Sequence, residues 1–408
     1  MEGVEIPSYF LCPISLQLMK DPVTLWTGIT YDRDSIERWI FPGRQNNTCP
    51  VTRQPLLDCE VTPNHTLRRL IQAWCTVNVS DGVERFPTPK APIERAQIGR
   101  LLDEAMLPQS QLGSLRRLGE IVCESERNKH CVAATAGAVD FLASIVANSG
   151  LESTSDCASD EALSILCSLQ LSEEGLLDLV KRNAGVIESL TTTLRRSSYQ
   201  SRAHATLLLK SILGVLSQDR LTDLREELFQ EVVNVIRGRI SHQATNAALH
   251  LLNQACPWGR NRIKAANAGA VHVLIELLLL EEPDRRICEV VLVVMEKLCR
   301  CAEGRAAMVG HAAGIPVVAK KILRVSQVAS ERAVRILHSV ARHSATPGLL
   351  KEMLQTGVAH KLCLVLRVDE CGVQTKEMAK EILRLHSRVW RSSPCLSPRF
   401  LLSYPTTS

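Results

Sequence analysis

The chain has 408 residues, of which 45% are hydrophobic, 22% charged and only 4% aromatic. It is too long for one ordinary core and too apolar for disorder, so two or more structural units are expected. The net charge of +5 is mild and the two signs are interspersed, whereas a nucleic-acid groove needs clustered basic residues with interleaved aromatics, so no nucleic-acid partner is expected.

No stretch reaches about 18 consecutive apolar residues, so no membrane span is expected either. The start, Met1-Glu2-Gly3-Val4-Glu5, has neither the positive charge nor the apolar run of a signal peptide. Without one, the fifteen cysteines, spread along the chain, read as reduced thiols of a cytoplasmic or also nuclear protein.

The first unit in chain order spans residues 5–79. Eight of the fifteen aromatics and ten of the eighteen prolines fall within residues 1–92, which sets this segment apart from the rest. It holds two related tetrapeptides, Cys12-Pro13-Ile14-Ser15 and Cys49-Pro50-Val51-Thr52. A zinc-binding RING would carry Cys-Pro-x-Cys at both places. Here the second cysteine of each is a hydroxyl residue, a poor substitute in a closed tetrahedral zinc site. Between them, Thr27-Gly28-Ile29-Thr30-Tyr31-Asp32-Arg33 offers no Cys or His, and His65 comes after both. No metal and no cofactor are therefore expected, and Cys12 and Cys49 read as small buried apolar residues.

Local signals in this unit are clear. Thr24–Thr27 and Ile29–Tyr31 flank Gly28 as a small hairpin. Asp32 is placed to cap a helix over Arg33–Ile40 with its side-chain oxygen, and Asn64 to cap one over His65–Trp74. Leu67, Leu70, Ile71 and Trp74 recur at helical spacing, so the second helix packs inward or pairs with a partner.

Residues 80–98, with Pro87, Pro89 and Pro92, read as an extended connector. From residue 99 to 390 the composition turns to Leu, Ala, Val, Arg and Glu at helical spacing. A small-residue turn recurs at Gly137, Gly185, Gly269, Gly314 and Gly357, at intervals of 48, 84, 45 and 43. The 84 is two periods of 42, so one marker is lost, near Leu228 in a helical stretch Leu224–Ile240. A period near 40–47 residues in an all-helical sequence marks armadillo or HEAT repeats, and Gly-hydrophobic-x-x-Leu after the turn is more like armadillo. About six to seven repeats fit. Helices apolar on more than one face need stacked neighbours, which builds a superhelix with a concave groove. Trp258 and Trp390 are the only tryptophans after residue 90, so the Trp/Asn ladder of nuclear-import armadillo proteins is missing. Residues 391–408, rich in Ser and Pro, read as a disordered tail.

Residues 6–74 resemble a U-box. The resemblance is carried by Ile6-Pro7, the two tetrapeptides, Met19-Lys20-Asp21-Pro22-Val23, the Thr27–Arg33 segment, Ile36-Glu37-Arg38-Trp39 and Pro63-Asn64-His65-Thr66-Leu67-Arg68. With the repeats behind it, the chain is similar to the plant U-box ubiquitin ligases. The fold this implies is a small α+β U-box, zinc-free and RING-like, followed by an all-α armadillo-repeat superhelix. The resemblance implies a RING-type transferase that forms no covalent ubiquitin intermediate. A ubiquitin-conjugating enzyme charged with ubiquitin would bind at Ile14, Leu16, Trp39, Pro50 and Arg53. Protein substrates would lie on the armadillo groove. Arg53 would contact both the conjugating enzyme and its ubiquitin, because its fork of donors can hold two carbonyls and restrain the conjugate. Ser15, Asp21, Asp32, Arg33 and Thr52 would form the network that replaces zinc. The resemblance further implies stress or immune signalling and a homo-oligomer formed through the face of His65–Trp74, motivated by exposed Ile71 and Trp74. Thr62-Pro63 and Thr88-Pro89 are minimal proline-directed phosphorylation sites, and a phosphate at Thr62 would sit near Arg68 and Arg69. The competing reading is a non-catalytic armadillo scaffold whose U-box has degenerated.

Overall fold

The structure, a computed structural model, describes residues 6–41, 48–56, 61–78, 93, 95–147, 153–280 and 284–391. Most of the expected linker, the expected tail beyond Arg391 and Thr88 lie outside the described residues. The chain divides into two compact units, Met1–Asn183 and Ala184–Ser408. That break falls among the helical repeats rather than in the Pro-rich stretch.

In the first unit, a 3-10 turn at Ser8–Phe10 leads to strand β1 (Pro22–Thr24), strand β2 (Thr30–Asp32) and helix α1 (Arg33–Ile40). β1 and β2 pair antiparallel with Val23 opposite Tyr31. The expected hairpin is present, but its first strand lies two residues earlier, because Leu25–Ile29 is consumed by the turn, where Gly28 sits at φ +80°. A strand the sequence reading missed, β3 (Thr62–Pro63), joins the other edge of β1 and leads into helix α2 (His65–Val77). At two residues it is too short to show any periodicity. Phe10, Cys12, Met19, Val23, Leu25, Tyr31, Ile36, Ile40, Cys49, Ile71 and Cys75 form the core of this module.

Both predicted caps stand at helix starts, with different outcomes. The Asn64 side chain accepts from the Leu67 backbone N–H at 3.0 Å. Asp32 makes no side-chain cap; its carboxylate turns instead to the backbone N–H groups of Lys20 (2.7 Å) and Asp21 (3.0 Å). Of the apolar positions on α2, Ile71 is buried at 2% exposure, and Trp74 packs edge-on to Phe10 with ring centroids 6.0 Å apart. Leu70 and Val77 are the ones left exposed. The motive for self-association through Ile71 and Trp74 is thereby corrected: the module's own core takes up these two residues.

Helix α3 (Arg95–Ala105) begins inside the stretch expected as linker. With α4 (Gln111–Glu124) it forms an incomplete pair, followed by α5 (Glu126–Ala133), α6 (Ala138–Ala147), α7 (Ser153–Ser168) and α8 (Glu173–Arg182). The second unit opens with α9 (Val186–Thr193) and α10 (Tyr199–Val215). Triads follow: α11 (Gln218–Thr222), α12 (Glu226–Gly238) and α13 (His242–Ala255), then α14 (Gly259–Asn267), α15 (Ala270–Leu279) and α16 (Arg285–Leu298). The next are α17 (Ala302–Gly310), α18 (Gly314–Lys321) and α19 (Gln327–His343), then α20 (Pro347–Gln355), α21 (Val358–Arg367) and α22 (Val373–Leu385), closed by α23 (Ser387–Arg391).

The third helices of successive triads, α10, α13, α16, α19 and α22, pack in order against one another. Ser198, Ser241 and Ser326 begin three of them, each accepting from the N–H three residues on at 3.0–3.3 Å. Polar side chains tie neighbouring third helices together. Lys297 donates to Asn253 (2.6 Å), Arg332 to Glu296 (2.7 Å) and Arg342 to Glu381 (2.6 Å). The lost turn marker is found at Arg225, which stands extended before α12 in place of a glycine, three residues ahead of Leu228. Trp390 is fully buried and its indole N–H donates to the Leu350 carbonyl at 3.2 Å.

The marker glycines serve unlike needs. Gly137, Gly269 and Gly357 hold positive φ, whereas Gly314 allows close approach: a Cβ there would meet the Met308 carbonyl oxygen at 2.1 Å. Gly304, which no marker pattern singled out, is equally tight, at 2.0 Å from the Leu298 carbonyl oxygen. Gly304→Ala is therefore expected to force α17 away from the end of α16, at a cost of about 3 kcal/mol or more. Denaturant unfolding of the full chain checks this, and a change under about 0.5 kcal/mol would contradict it. No single helix among the described residues is long and apolar enough to cross a membrane.

Candidate functional site

Two loops of the N-terminal module are built to one plan. In Cys12-Pro13-Ile14-Ser15-Leu16-Gln17, the Leu16 N–H donates to Cys12 O and the Cys12 N–H to Gln17 O, both at 2.8 Å. In Cys49-Pro50-Val51-Thr52-Arg53-Gln54, Arg53 N–H donates to Cys49 O and Cys49 N–H to Gln54 O, again at 2.8 Å. A β-bridge closes each loop, Leu11 with Leu18 and Thr48 with Pro55. Equivalent residues Leu16 and Arg53 share left-handed backbone, φ 56° and 58°. Non-glycine residues are held there only at a cost of about 1–2 kcal/mol each, so the surrounding hydrogen bonds must over-determine the loops. The outcome is that Leu16, 75% exposed, and Arg53, also exposed, project from matching corners.

Hydrogen bonds hold the loops where a RING would place metal. At the first, Asp32 N–H donates to the Cys12 sulfur (3.3 Å) while the Asp32 carboxylate receives the backbone of Lys20 and Asp21. Asp21 in turn pairs with Arg33 at 2.5 Å, and Arg68 approaches it at 3.9 Å. Burial pushes the Asp32 carboxyl up and the two backbone N–H groups oppose it. Ser15 hydrogen-bonds the Cys12 thiol. At the second loop, the Tyr31 hydroxyl lies 3.1 Å from the Cys49 sulfur and accepts from Val51 N–H at 3.3 Å. Thr27 donates to the same sulfur at 3.5 Å. Burial pushes the Cys49 thiol up, but hydrogen bonds from Thr27, Thr52 and Tyr31 bring it down to about 6.

The structure thus brings Asp21, Asp32 and Arg33 together around the first loop, with Ser15 at Cys12 and Thr52 at Cys49. Tyr31, Thr27 and Arg68 belong to the same network and were missed as members. Tyr31 and Thr27 lie in the Thr27–Arg33 segment, but only folding brings them to a cysteine far along the chain. The reading of Cys12 and Cys49 as merely apolar is corrected: both are buried, and both accept hydrogen bonds. Cys49→Ala should then destabilise the module by about 1–3 kcal/mol, since the buried Tyr31 hydroxyl loses its sulfur partner and keeps only the Val51 N–H. A purely apolar role predicts under about 1 kcal/mol. Hydrogen exchange over residues 48–56 of the full chain separates the two.

The remaining candidates sit around the loops. Ile14 is half-buried against the core, as is Trp39 on α1. The Trp39 indole N–H donates to Thr48 O at 2.8 Å, which pins the start of the second loop to the helix. Pro50 is half-buried and Val51 53% exposed. No hydrogen bond or ion pair among the described residues joins Ile14 or Leu16 to Trp39 or Arg53. Thr62 is exposed on β3, and Arg68, expected to receive a phosphate there, is already directed at Asp21. No group of three or more His, Cys, Asp or Glu side chains among the described residues could hold a metal ion.

The arrangement has counterparts among known proteins. The family model of the U-box domain matches residues 6–80, and that of the plant U-box protein ARM repeat region matches residues 97–406. The E3 ubiquitin-protein ligase PUB23 of Arabidopsis thaliana is 54% identical over 99% of this chain and 98% of its own length. PUB22, an E3 ubiquitin-protein ligase of the same plant, is 49% identical over 99% of each chain. PUB24, likewise an E3 ubiquitin-protein ligase of Arabidopsis thaliana, is 35% identical over 97% of this chain and 95% of its own.

Proposed function

Because this chain belongs to the plant U-box ubiquitin ligases with armadillo repeats, we propose that its two matched loops and α1 recruit a charged ubiquitin-conjugating enzyme. It is a U-box E3 ligase of the RING type. In the proposed mechanism Ile14, Leu16, Trp39 and Pro50 offer apolar anchors to the conjugating enzyme. Arg53 restrains the enzyme–ubiquitin thioester so that a substrate lysine attacks it directly. The substrate protein is held by the armadillo repeats. The observation that carries this reading is the shared loop geometry, which holds Leu16 and Arg53 exposed at strained backbone positions.

The exposed Leu70 and Val77 of α2 offer a face for a homo-oligomer, and Thr62 lies before that helix as a candidate phosphosite. Stress or immune signalling in the cytoplasm or nucleus is the setting we assign by resemblance.

A reconstituted reaction of activating enzyme, conjugating enzyme, ubiquitin and ATP tests the proposal. The full chain should build ubiquitin chains, and the scaffold reading predicts none. Arg53→Ala should slow transfer by about tenfold or more, with the affinity for uncharged conjugating enzyme changed much less. Equal loss of both would make Arg53 a simple binding contact.

A further inference from the structure

Helix α1 presents three faces. Ile36 and Ile40 enter the U-box core, and Trp39 bonds the second loop. The third face carries Arg33, Glu37 and Phe41, spaced one turn apart and lying on roughly the opposite side from Trp39. Within the U-box, Arg33 pairs with Asp21 and Phe41 packs at the edge of the core. In the first unit this third face packs against α5, the first helix of the first complete repeat. The Phe41 and His130 rings lie with centroids 5.4 Å apart at an interplanar angle of 36°.

Glu37 adds a second, independent observation. It is a charged residue only 2% exposed, and residues of this kind are almost never so buried unless paired. Its own helix supplies one Arg33 contact, at 3.4 Å. Burial pushes the Glu37 carboxyl up, while Arg33 and Arg127, the latter on α5, pull it down. The Arg127 charge on the repeat thus favours the ionised form of a U-box carboxylate without an ion pair between them, beside the Phe41–His130 ring contact.

We infer that Glu37 of α1, Phe41 at its C-terminal cap, and Arg127 and His130 of α5 form an intramolecular seat that docks the U-box on the first armadillo repeat. The U-box is then not a freely tethered module. Its conjugating-enzyme face, marked by Trp39, points away from the seat and stays open, so docking orients the bound enzyme rather than blocking it. This rests on the reading of the loops and α1 as the conjugating-enzyme platform. The seat restricts which substrate lysines the charged enzyme can reach.

The test uses the full chain with cysteines at both seat positions, Phe41→Cys with His130→Cys. A short bis-maleimide is applied and linked peptides are mapped by mass spectrometry, with each single variant as background for the native cysteines. A link between positions 41 and 130 within one chain is expected, falling about fivefold or more when Arg127→Glu is added. No link, a link only between chains, or a yield unmoved by Arg127→Glu overturns the seat.

Phe41→Cys could itself unsettle the U-box, so hydrogen exchange provides a second measurement. Arg127→Glu alone should speed exchange over residues 34–41 by about fivefold or more, and unchanged exchange there overturns the proposal. Discharge of the charged conjugating enzyme onto free lysine should be unaffected by Arg127→Glu, while the pattern of lysines modified on the chain broadens. An unbroadened pattern counts against the seat's effect on lysine choice. Absence of discharge by the wild-type chain would instead sink the platform reading.

Discussion

Alanine at Ile14 or at Trp39 is expected to abolish ubiquitin-chain formation while the chain stays folded. Each change removes an apolar anchor of the kind that contributes about 2 kcal/mol or more to a compact interface, about thirtyfold in affinity. The two variants should differ in their side effects. Ile14→Ala trims a half-buried side chain and leaves the loop's hydrogen bonds in place. Trp39→Ala also removes the indole N–H that holds Thr48, so the second loop should loosen and exchange its amides faster. Trp39→Phe keeps an aromatic anchor without that hydrogen bond and should fall between wild type and alanine. Titration of the conjugating enzyme, chain assembly and hydrogen exchange measured on the same samples read all three effects. Full activity in both alanine variants would remove the proposed platform.

Arg33→Ala should unfold the U-box while the repeats stay helical. Arg33 meets Asp21 at 2.5 Å and Glu37 at 3.4 Å, so its loss leaves two largely buried carboxylates facing each other's side of the site. Breaking a buried pair costs about 3–5 kcal/mol. The lower end applies here, because the Arg33 and Asp21 side chains each keep 15% of their exposure. Even that is comparable to the stability of a module of this size. Circular dichroism should change little, since most helix lies in the repeats, while protection from hydrogen exchange over residues 6–78 collapses. Arg33→Lys restores charge without the planar fork and should recover only part of the protection. Full protection in Arg33→Ala would mean that the Asp32 and Cys12 contacts suffice alone.

Features governed by local rules were legible in the sequence. The hairpin follows from Gly28, the Asn64 cap from a side chain one turn short of Leu67, and the repeats from a glycine turn returning at a near-constant interval. The same is true of the pair Asp21 and Arg33 as candidates for a metal-free network, since family motifs place both. The hairpin, the cap and the repeats depend on spacing, which is written in the chain, whereas the pair was implied by the resemblance alone.

Where two segments distant in sequence compete for one group, only the tertiary structure decides. Asp32 has the identity and position of a helix cap, yet the backbone N–H groups of Lys20 and Asp21 claim its carboxylate. Cys49 reads as apolar until folding brings Tyr31 and Thr27 within reach of its sulfur. Ile71 and Leu70 are neighbours of equal hydrophobicity, and the phase of α2 against the core buries one and exposes the other. Gly304 resembles any glycine in a helix until the Leu298 carbonyl arrives at the place of its missing Cβ. The Glu37 charge is tolerable in the interior because Arg33 pairs with it one turn away, and the Arg127 charge on α5 also favours its ionised form. The sequence by itself determined a small mixed module followed by repeating helices, since periodicity and turn chemistry act over a few residues, and the resemblance of its motifs marked the first module as a U-box. Which polar groups satisfy one another was decided by packing, because a buried donor or acceptor takes the partner that the fold brings to it.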